Sequence, residues 1–356
     1  METKTPLHYL TITLLAVCLQ IAAVAQQKLP NVRVLATGGT IAGAGASATG
    51  SAYTSGKISI DTMISSVPNI RKLANLKGEQ VSNVGSQDMS IKIWLDLATR
   101  INELLASSDV DGIVITHGTD TQEETAYFLN LVIKSNKPVV LTGSMRPSTA
   151  LSADGPLNLY NAVAVAAHAE SKGKGVLVVL NDEIHSAHDV KKMISTPVHT
   201  FQSPQEGLLG TVIFGQVKFF HGPSGLHTTS SEFSTNGIKD LPKVDIVYCY
   251  ADASGDMIDY LVKSGSKGIV IAGVGDGNMT EDMLKAVKRA TAKGVHVVRA
   301  TRIPIGAVLI EGEIDDKTYG CISSDDLNPQ KARILLMLAL LKDRSREELQ
   351  QLFIQY

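Results

Sequence analysis

Short apolar runs and amphipathic stretches alternate along the chain, and that alternation organises the reading. Gly112–Thr116 (GIVIT) is β-branched and apolar throughout, which predicts a strand buried on both faces of a parallel sheet. Similar runs occupy Val32–Thr37, Pro138–Thr142 and Val176–Leu180, and later Val244–Tyr250, Gly268–Ala272 and Val295–Ala300. Between them helical patterns are predicted near Ser90–Ala106, Pro156–Glu170, Asp256–Ser264, Thr280–Lys293 and Pro329–Leu341. Thr121-x-x-Glu124 reads as a capping box that opens a further helix to about Lys134, and Ser345-x-x-Glu348 as one that caps a last short helix. Asn328 with Pro329 marks another helix start.

Strands alternating with helices predict an α/β fold. At 356 residues two α/β domains are expected, a larger N-terminal parallel-sheet domain and a smaller C-terminal Rossmann-like one. Residues 221–242 lose periodicity and are rich in Ser, Thr, Gly and Pro. The expected division is therefore 26–220 for the first domain, 221–242 for a linker and 243–356 for the second.

Residues 1–25 stand outside this pattern. Leu10–Val24 is an apolar run of signal-peptide length, and Ala23-Val24-Ala25 supplies an A-x-A cleavage site before Gln26. A membrane anchor is the competing reading, but the run is short for a span and contains Gln20. Export with cleavage near Ala25, hence a periplasmic location, is the expectation. Net charge is −2 with no block of like charges, which argues against nucleic acid or a membrane surface as the main partner. Once Cys18 leaves with the signal, Cys249 and Cys321 remain; spacing leaves open whether they pair.

The candidate chemistry sits where strands run out. Gly112–Thr116 stops at His117-Gly118-Thr119-Asp120, and Val32–Thr37 breaks into Gly38-Gly39-Thr40-Ile41-Ala42-Gly43. Polar turns at strand ends are where open α/β sheets bind ligands. From Gly43 to Lys57 the chain is Gly, Ala, Ser and Thr around Tyr53, a segment expected to be mobile unless something closes it, and so a candidate lid. Gly85-Ser86-Gln87-Asp88 and Gly275-Asp276-Gly277-Asn278 are further turns past strand ends, and Lys191-Lys192 lies beyond Val176–Leu180. No G-x-G-x-x-G, no P-loop lysine and no G-x-S-x-G elbow occurs, and His185 with His188 lacks a suitably spaced third metal ligand. Threonine chemistry remains. A threonine hydroxyl attacks only when a neighbouring base takes its proton, which a lysine next to an aspartate is able to do. Spacing alone leaves a hydrolase and a small-molecule binding protein both open.

The motifs Thr37–Gly43 and His117–Thr121 together resemble the paired signature of the bacterial L-asparaginase and glutaminase-asparaginase family. The similarity continues through Gly85–Asp88, Met145–Ser148, Ser152–Pro156 and Leu327–Arg333, spanning about residues 30–356; the leader makes it similar to the exported (type II) branch. The resemblance implies hydrolysis of L-asparagine to L-aspartate and ammonia, with no metal or organic cofactor. It implies Thr40 as nucleophile beside Tyr53 on the lid, and Thr119 with Lys192 as a second hydroxyl–base pair. Ser86, Gln87, Thr119 and Asp120 are implied to hold the substrate. A homotetramer is implied too, with Asn278 and Glu313 supplied to each site by a neighbouring subunit. Two departures stand out: Asp276 where some relatives carry Asn, and Leu105 and Ser135 near the positions of a disulfide found in some relatives. The alternatives are a dual-specificity glutaminase-asparaginase and, from another class, a periplasmic amino-acid binding protein.

Overall fold

The computed structural model describes residues 28–50 and 52–356. The apolar run Leu10–Val24 and the expected cleavage site at Ala25 lie outside the described residues.

The first domain is built on an eight-stranded sheet. Its strands are β1 (Asn31–Gly38), β2 (Asn75–Val84), β3 (Gly112–Thr116), β4 (Val139–Thr142), β5 (Val176–Leu180) and β6 (Glu183–Ser186). A separate two-stranded ribbon, β7 (Lys191–Lys192) with β8 (Phe201–Gln202), interrupts the sequence before β9 (Gly210–Ile213) and β10 (Gln216–Phe219) complete the sheet. The order is β10-β9-β6-β5-β4-β3-β1-β2. From β2 to β5 neighbours are parallel, whereas β6, β9 and β10 add an antiparallel edge. The sheet is thus parallel through its centre, as expected, and antiparallel only along this edge. These edge strands are short and carry partly exposed polar residues, so they lack the continuous apolar run that marks the centre.

Strand alternation sends neighbouring residues to two different cores. In β3, Ile113 and Ile115 join one apolar cluster while Val114 joins another. The first cluster is closed by helices Ile91–Ala106, Gln122–Val132 and Pro329–Ala339, the second by Ile60–Ser66 and Gly155–Ala167. Trp94 stacks on Phe128 with ring centroids 5.2 Å apart. Burying each such apolar side chain fully stabilises the fold by about 1.5–3 kcal/mol.

The second domain has a four-stranded parallel sheet, β11 (Val244–Tyr248), β12 (Gly268–Gly273), β13 (His296–Thr301) and β14 (Cys321–Ser323), in sequence order. One face packs under helices Asp256–Lys263 and Glu281–Thr291. The other contributes Val270, Val298 and Ile322 to the first domain's larger cluster, with helix Pro329–Ala339 between the two sheets. The two sheets therefore share a core. Cys249 and Cys321 are both buried free thiols, and burial pushes the Cys321 thiol up to about 12.

The connecting stretch is tied down along its length. Leu226 N–H donates to the Gln355 carbonyl, Ser231 Oγ to the Leu131 carbonyl, and Phe233 packs on Tyr356. The expected capping box at Thr121 is corrected. Thr121 Oγ1 donates to the Ser86 carbonyl at 2.7 Å, and no side chain caps the helix, which runs Gln122–Val132 and stops short of Lys134. Burial, reinforced by the neighbouring Glu123 charge, raises the Glu124 carboxyl to about 7. At Ser345 the capping box forms as expected.

Candidate active site

Strands β1 and β3 are neighbours, and β1 continues to β2 on its other side, so the chain reverses its direction of travel across the sheet between them. The turns leaving β1 and β3 carry Thr40 and Thr119, and both threonines are buried. Their approach requires glycine. A Cβ on Gly39, whose φ is +79°, would lie 2.4 Å from the Gly118 nitrogen, and one on Gly118 would lie 2.7 Å from Ser86 Oγ. Turns from β1, β2 and β3 thus meet at van der Waals distance. Ser86 joins them: its Oγ accepts the Asp120 N–H at 3.1 Å.

Behind this junction His117 is fully buried, and burial lowers its pKa to about 4, against the opposing effect of its bond to Gly118. The Gly118 carbonyl, 2.7 Å from Nδ1, only accepts, so that nitrogen carries the proton. Nε2 therefore accepts from Thr125 Oγ1 at 2.9 Å, and the same oxygen accepts Trp94 Nε1–H at 2.8 Å. The chain of bonds is complete and orients the peptide that precedes Thr119.

Thr40 Oγ1 lies 2.6 Å from the hydroxyl of Tyr53. The segment around Tyr53 was expected to be mobile unless closed, and it is closed. Ala44 and Thr54 bridge each other, Gly45 N–H donates to Thr149 Oγ1, and Ser148 N–H and Oγ both donate to the Gly43 carbonyl. Leu151 N–H donates to the Ala48 carbonyl. The turn that receives the lid is itself held by Asp154, whose carboxylate accepts the Met145 and Arg146 N–H groups at 2.9 Å.

Opposite Tyr53, Lys192 Nζ donates to Thr119 Oγ1 at 3.0 Å and to Asp120 Oδ1 at 2.6 Å. Lys191, the other member of the pair, turns away and donates to the Pro304 carbonyl at 3.1 Å; burial lowers its pKa. Thr40, Tyr53, Thr119, Asp120 and Lys192 line one cleft of about 650 Å³. Arg146, Ser195 and Thr196 line it as well. The last two were not singled out from sequence, where a Ser-Thr pair after two lysines carries no periodic or motif signal.

The remaining expected residues lie outside that lining. Gln87 is exposed beside the Ser86 turn, its amide bonded to Asp88. Asn278 and Glu313 are brought together, since Asn278 Nδ2 donates to the Glu313 carboxylate, but on the second domain and away from their own chain's cleft. Their turn is fixed by Arg299, which is fully buried. It forms a two-point ion pair with Asp316 at 2.6 and 2.9 Å and donates to the Asp276 and Leu309 carbonyls. The Asp276 carboxylate accepts the Leu309 N–H at 2.7 Å, so the departure noted at that position serves a loop contact. Among the described residues, His188, Glu206 and Asp326 form a group with metal-ligand chemistry. The two imidazole nitrogens face different carboxylates, Nδ1 toward Glu206 at 3.2 Å and Nε2 toward Asp326 at 3.4 Å, which is the arrangement of an imidazolium between two anions.

A parallel α/β sheet whose switch-point cleft presents two threonine hydroxyls, a tyrosine, a lysine and an aspartate defines a hydrolytic class of site. Comparison with known proteins gives the family. The asparaginase N-terminal domain matches residues 31–224, and the glutaminase/asparaginase C-terminal domain matches 243–353. The chain is 50% identical to L-asparaginase 2 of Escherichia coli over 92% of its own length and 94% of that protein's. It is 49% identical to the glutaminase-asparaginase of Pseudomonas fluorescens over 92% of its length and 91% of that protein's. A solved structure described as a probable cytoplasmic L-asparaginase from Campylobacter jejuni superposes with a TM-score of 0.89 at 48% identity, covering 92% of this chain and all of that one. The chain belongs to the asparaginase family, whose members hydrolyse the side-chain amide of asparagine, and it is an enzyme of that class.

Proposed function

We propose that this protein converts L-asparagine to L-aspartate and ammonia with Thr40 as the nucleophile. The observation that carries the reading is the 2.6 Å contact of Thr40 with Tyr53, on the same cleft as the Lys192–Thr119–Asp120 cluster. Asp120 takes the substrate's α-ammonium, and Ser86 and Gln87 at the neighbouring turn take its α-carboxylate and amino group. These contacts hold the side-chain amide carbon against Thr40 Oγ1. Attack forms an acyl-enzyme ester and releases ammonia, and water then hydrolyses the ester. Lys192, bonded to Thr119, is the base of the second hydroxyl pair.

Asn278 and Glu313 complete the site of a neighbouring copy within a homotetramer. Their pairing on an arginine-anchored turn, outside their own chain's cleft, supports this reading. Export to the periplasm is supported by the leader sequence and by similarity to a probable periplasmic L-asparaginase of Haemophilus influenzae, 50% identical over 91% of this chain. No helix among the described residues is long and apolar enough to cross a membrane. Appreciable glutaminase activity is the second reading, favoured by the similarity to glutaminase-asparaginases. Ammonia release from L-asparagine and L-glutamine, measured side by side with Thr40→Ala as control, tests both. Stoichiometric asparagine binding without turnover by the unsubstituted enzyme would overturn the hydrolytic reading in favour of a binding protein.

A further inference from the structure

The stretch Leu327–Arg333 reaches no part of the cleft, yet side chains from it and from Asp326 beside it hold the segment that delivers Lys192. Glu123 is the link. Its side chain is buried, and its two oxygens have separate donors: Oε2 accepts the Lys192 N–H at 2.5 Å and Oε1 accepts Asn328 Nδ2 at 2.9 Å. The orientation of the Asn328 amide is determined, because its Oδ1 accepts the Lys331 N–H at 3.0 Å as the cap of helix Pro329–Ala339. A second, independent hold comes one turn on. Lys331 is fully buried, and its Nζ donates to the carbonyls of His188 at 2.5 Å and Val190 at 2.6 Å. Asp326 adds its 3.4 Å approach to His188.

We infer that Glu123 and Asn328 are positioning residues, through which the second domain fixes Lys192 of its own chain against Thr119. The inference rests on the proposed role of Lys192. Its physical basis is local poverty of structure. Lys192 sits in a two-residue strand whose partner is only Phe201–Gln202, so its own ladder does little to fix the backbone. A buried carboxylate on that N–H is a charge-assisted bond, stronger than the amide–carbonyl bond it stands in for. Displacing a catalytic group by about 1 Å is enough to reduce a rate by about 10²-fold.

The experiment is a cycle on the full-length mature enzyme, reading kcat and KM for asparagine and the melting temperature together. Glu123→Gln keeps the shape and one acceptor but sets its amide N–H₂ against the Asn328 N–H₂. It is expected to lower kcat by about tenfold to 10²-fold while KM changes less than about twofold. Adding Asn328→Asp restores an acceptor for the new amide and keeps the helix cap, so the double variant is expected to return to within about threefold of wild type. In a Lys192→Met background, Glu123→Gln is expected to lower kcat no further, because its effect passes through Lys192. If Glu123→Gln does not accumulate as folded protein, Asn328→Ser, which keeps a capping hydroxyl but loses the donor to Glu123, carries the same comparison.

Losses that multiply in the Lys192→Met background would overturn the inference and make Glu123 a general structural residue. So would a Glu123→Gln enzyme with wild-type kcat, or a loss that Asn328→Asp does not repair. A Lys192→Met enzyme of wild-type activity would instead remove the role of Lys192 itself, which separates failure of that reading from failure of the link.

Discussion

The hydroxyls of Thr40 and Tyr53 lie 2.6 Å apart although the two residues sit on different segments, one on a turn fixed by β1 and the other on a lid fixed by the Met145–Leu151 region. This contact places a proton acceptor or donor beside the proposed nucleophile before substrate arrives. Thr40→Ala is expected to reduce ammonia release by about 10³-fold or more. Tyr53→Phe keeps the ring on the lid and removes only the hydroxyl, so a smaller loss of about 10²-fold in kcat is expected. A steady-state ammonia assay distinguishes them, and equal losses would show that Tyr53 is as indispensable as the nucleophile.

Lys192 bridges Thr119 and Asp120, and neither neighbour has another cation bonded to it among the described residues. Lys192→Met preserves length and apolar contact while removing the base, and a fall in kcat of about 10²- to 10⁴-fold is expected. Lys191→Met removes only a bond to the Pro304 carbonyl, and its activity is expected to stay within about threefold of wild type.

The imidazole of His188 gives the fold a pH signature. Burial alone would lower its pKa, but the bonds to Asp326 and Glu206 outweigh that and raise it to about 9. The group binds its proton more tightly folded than unfolded, so its contribution is complete below about pH 6.5 and is lost as pH rises through about 9. The two carboxylates, each penalised by burial but held below the usual carboxylate range chiefly by His188, contribute above that range and lose their contribution only in acid. The melting temperature is expected to fall between pH 6.5 and 9, and His188→Gln to flatten that fall. An unchanged slope in the variant would assign the loss to other groups.

Thr125 serves two buried partners at once, donating to His117 Nε2 and accepting from Trp94 Nε1. Thr125→Val matches its shape and orphans both. Urea denaturation is expected to show about 1–3 kcal/mol of destabilisation. Because His117 orients the peptide before Thr119, kcat should fall in the same variant.

The Arg299–Asp316 pair is fully buried, and breaking such a pair leaves an uncompensated charge. Asp316→Ala is expected to destabilise the protein by about 3–5 kcal/mol. It also loosens the turn that carries Asn278, so a variant that folds is expected to show a raised KM for asparagine if that turn completes a neighbour's site. An unaltered KM would argue against the shared site.

Much of this molecule is legible along the chain because the signals are local. The β-branched run Gly112–Thr116 is a strand buried on both faces, and the polar turns after it and after Val32–Thr37 are where the cleft forms. Helix caps at Asn328 and Ser345 act within four residues and form as expected. Thr121 shows where local reasoning stops: the Ser86 carbonyl, 35 residues away, takes the hydroxyl that a capping box would have used. The antiparallel edge formed by β6, β9 and β10 has no comparable local signal, since four-residue strands of mixed polarity read like turns.

By itself the sequence determined an α/β chain of two sheets, a pair of threonine-bearing turns and a lysine pair beyond the sheet. Tertiary structure decided which groups meet. Side chains alternate across a strand, so pairing Lys191–Lys192 with Phe201–Gln202 sends one ammonium to the Pro304 carbonyl and the other to Thr119 and Asp120, more than 70 residues back. Glu123 had no special mark within its helix; only the packing of helix Pro329–Ala339 between the sheets brings Asn328 to one of its oxygens and Lys192 to the other. Local sequence sets propensity and chemistry, whereas such contacts depend on long-range packing that no window of neighbouring residues contains.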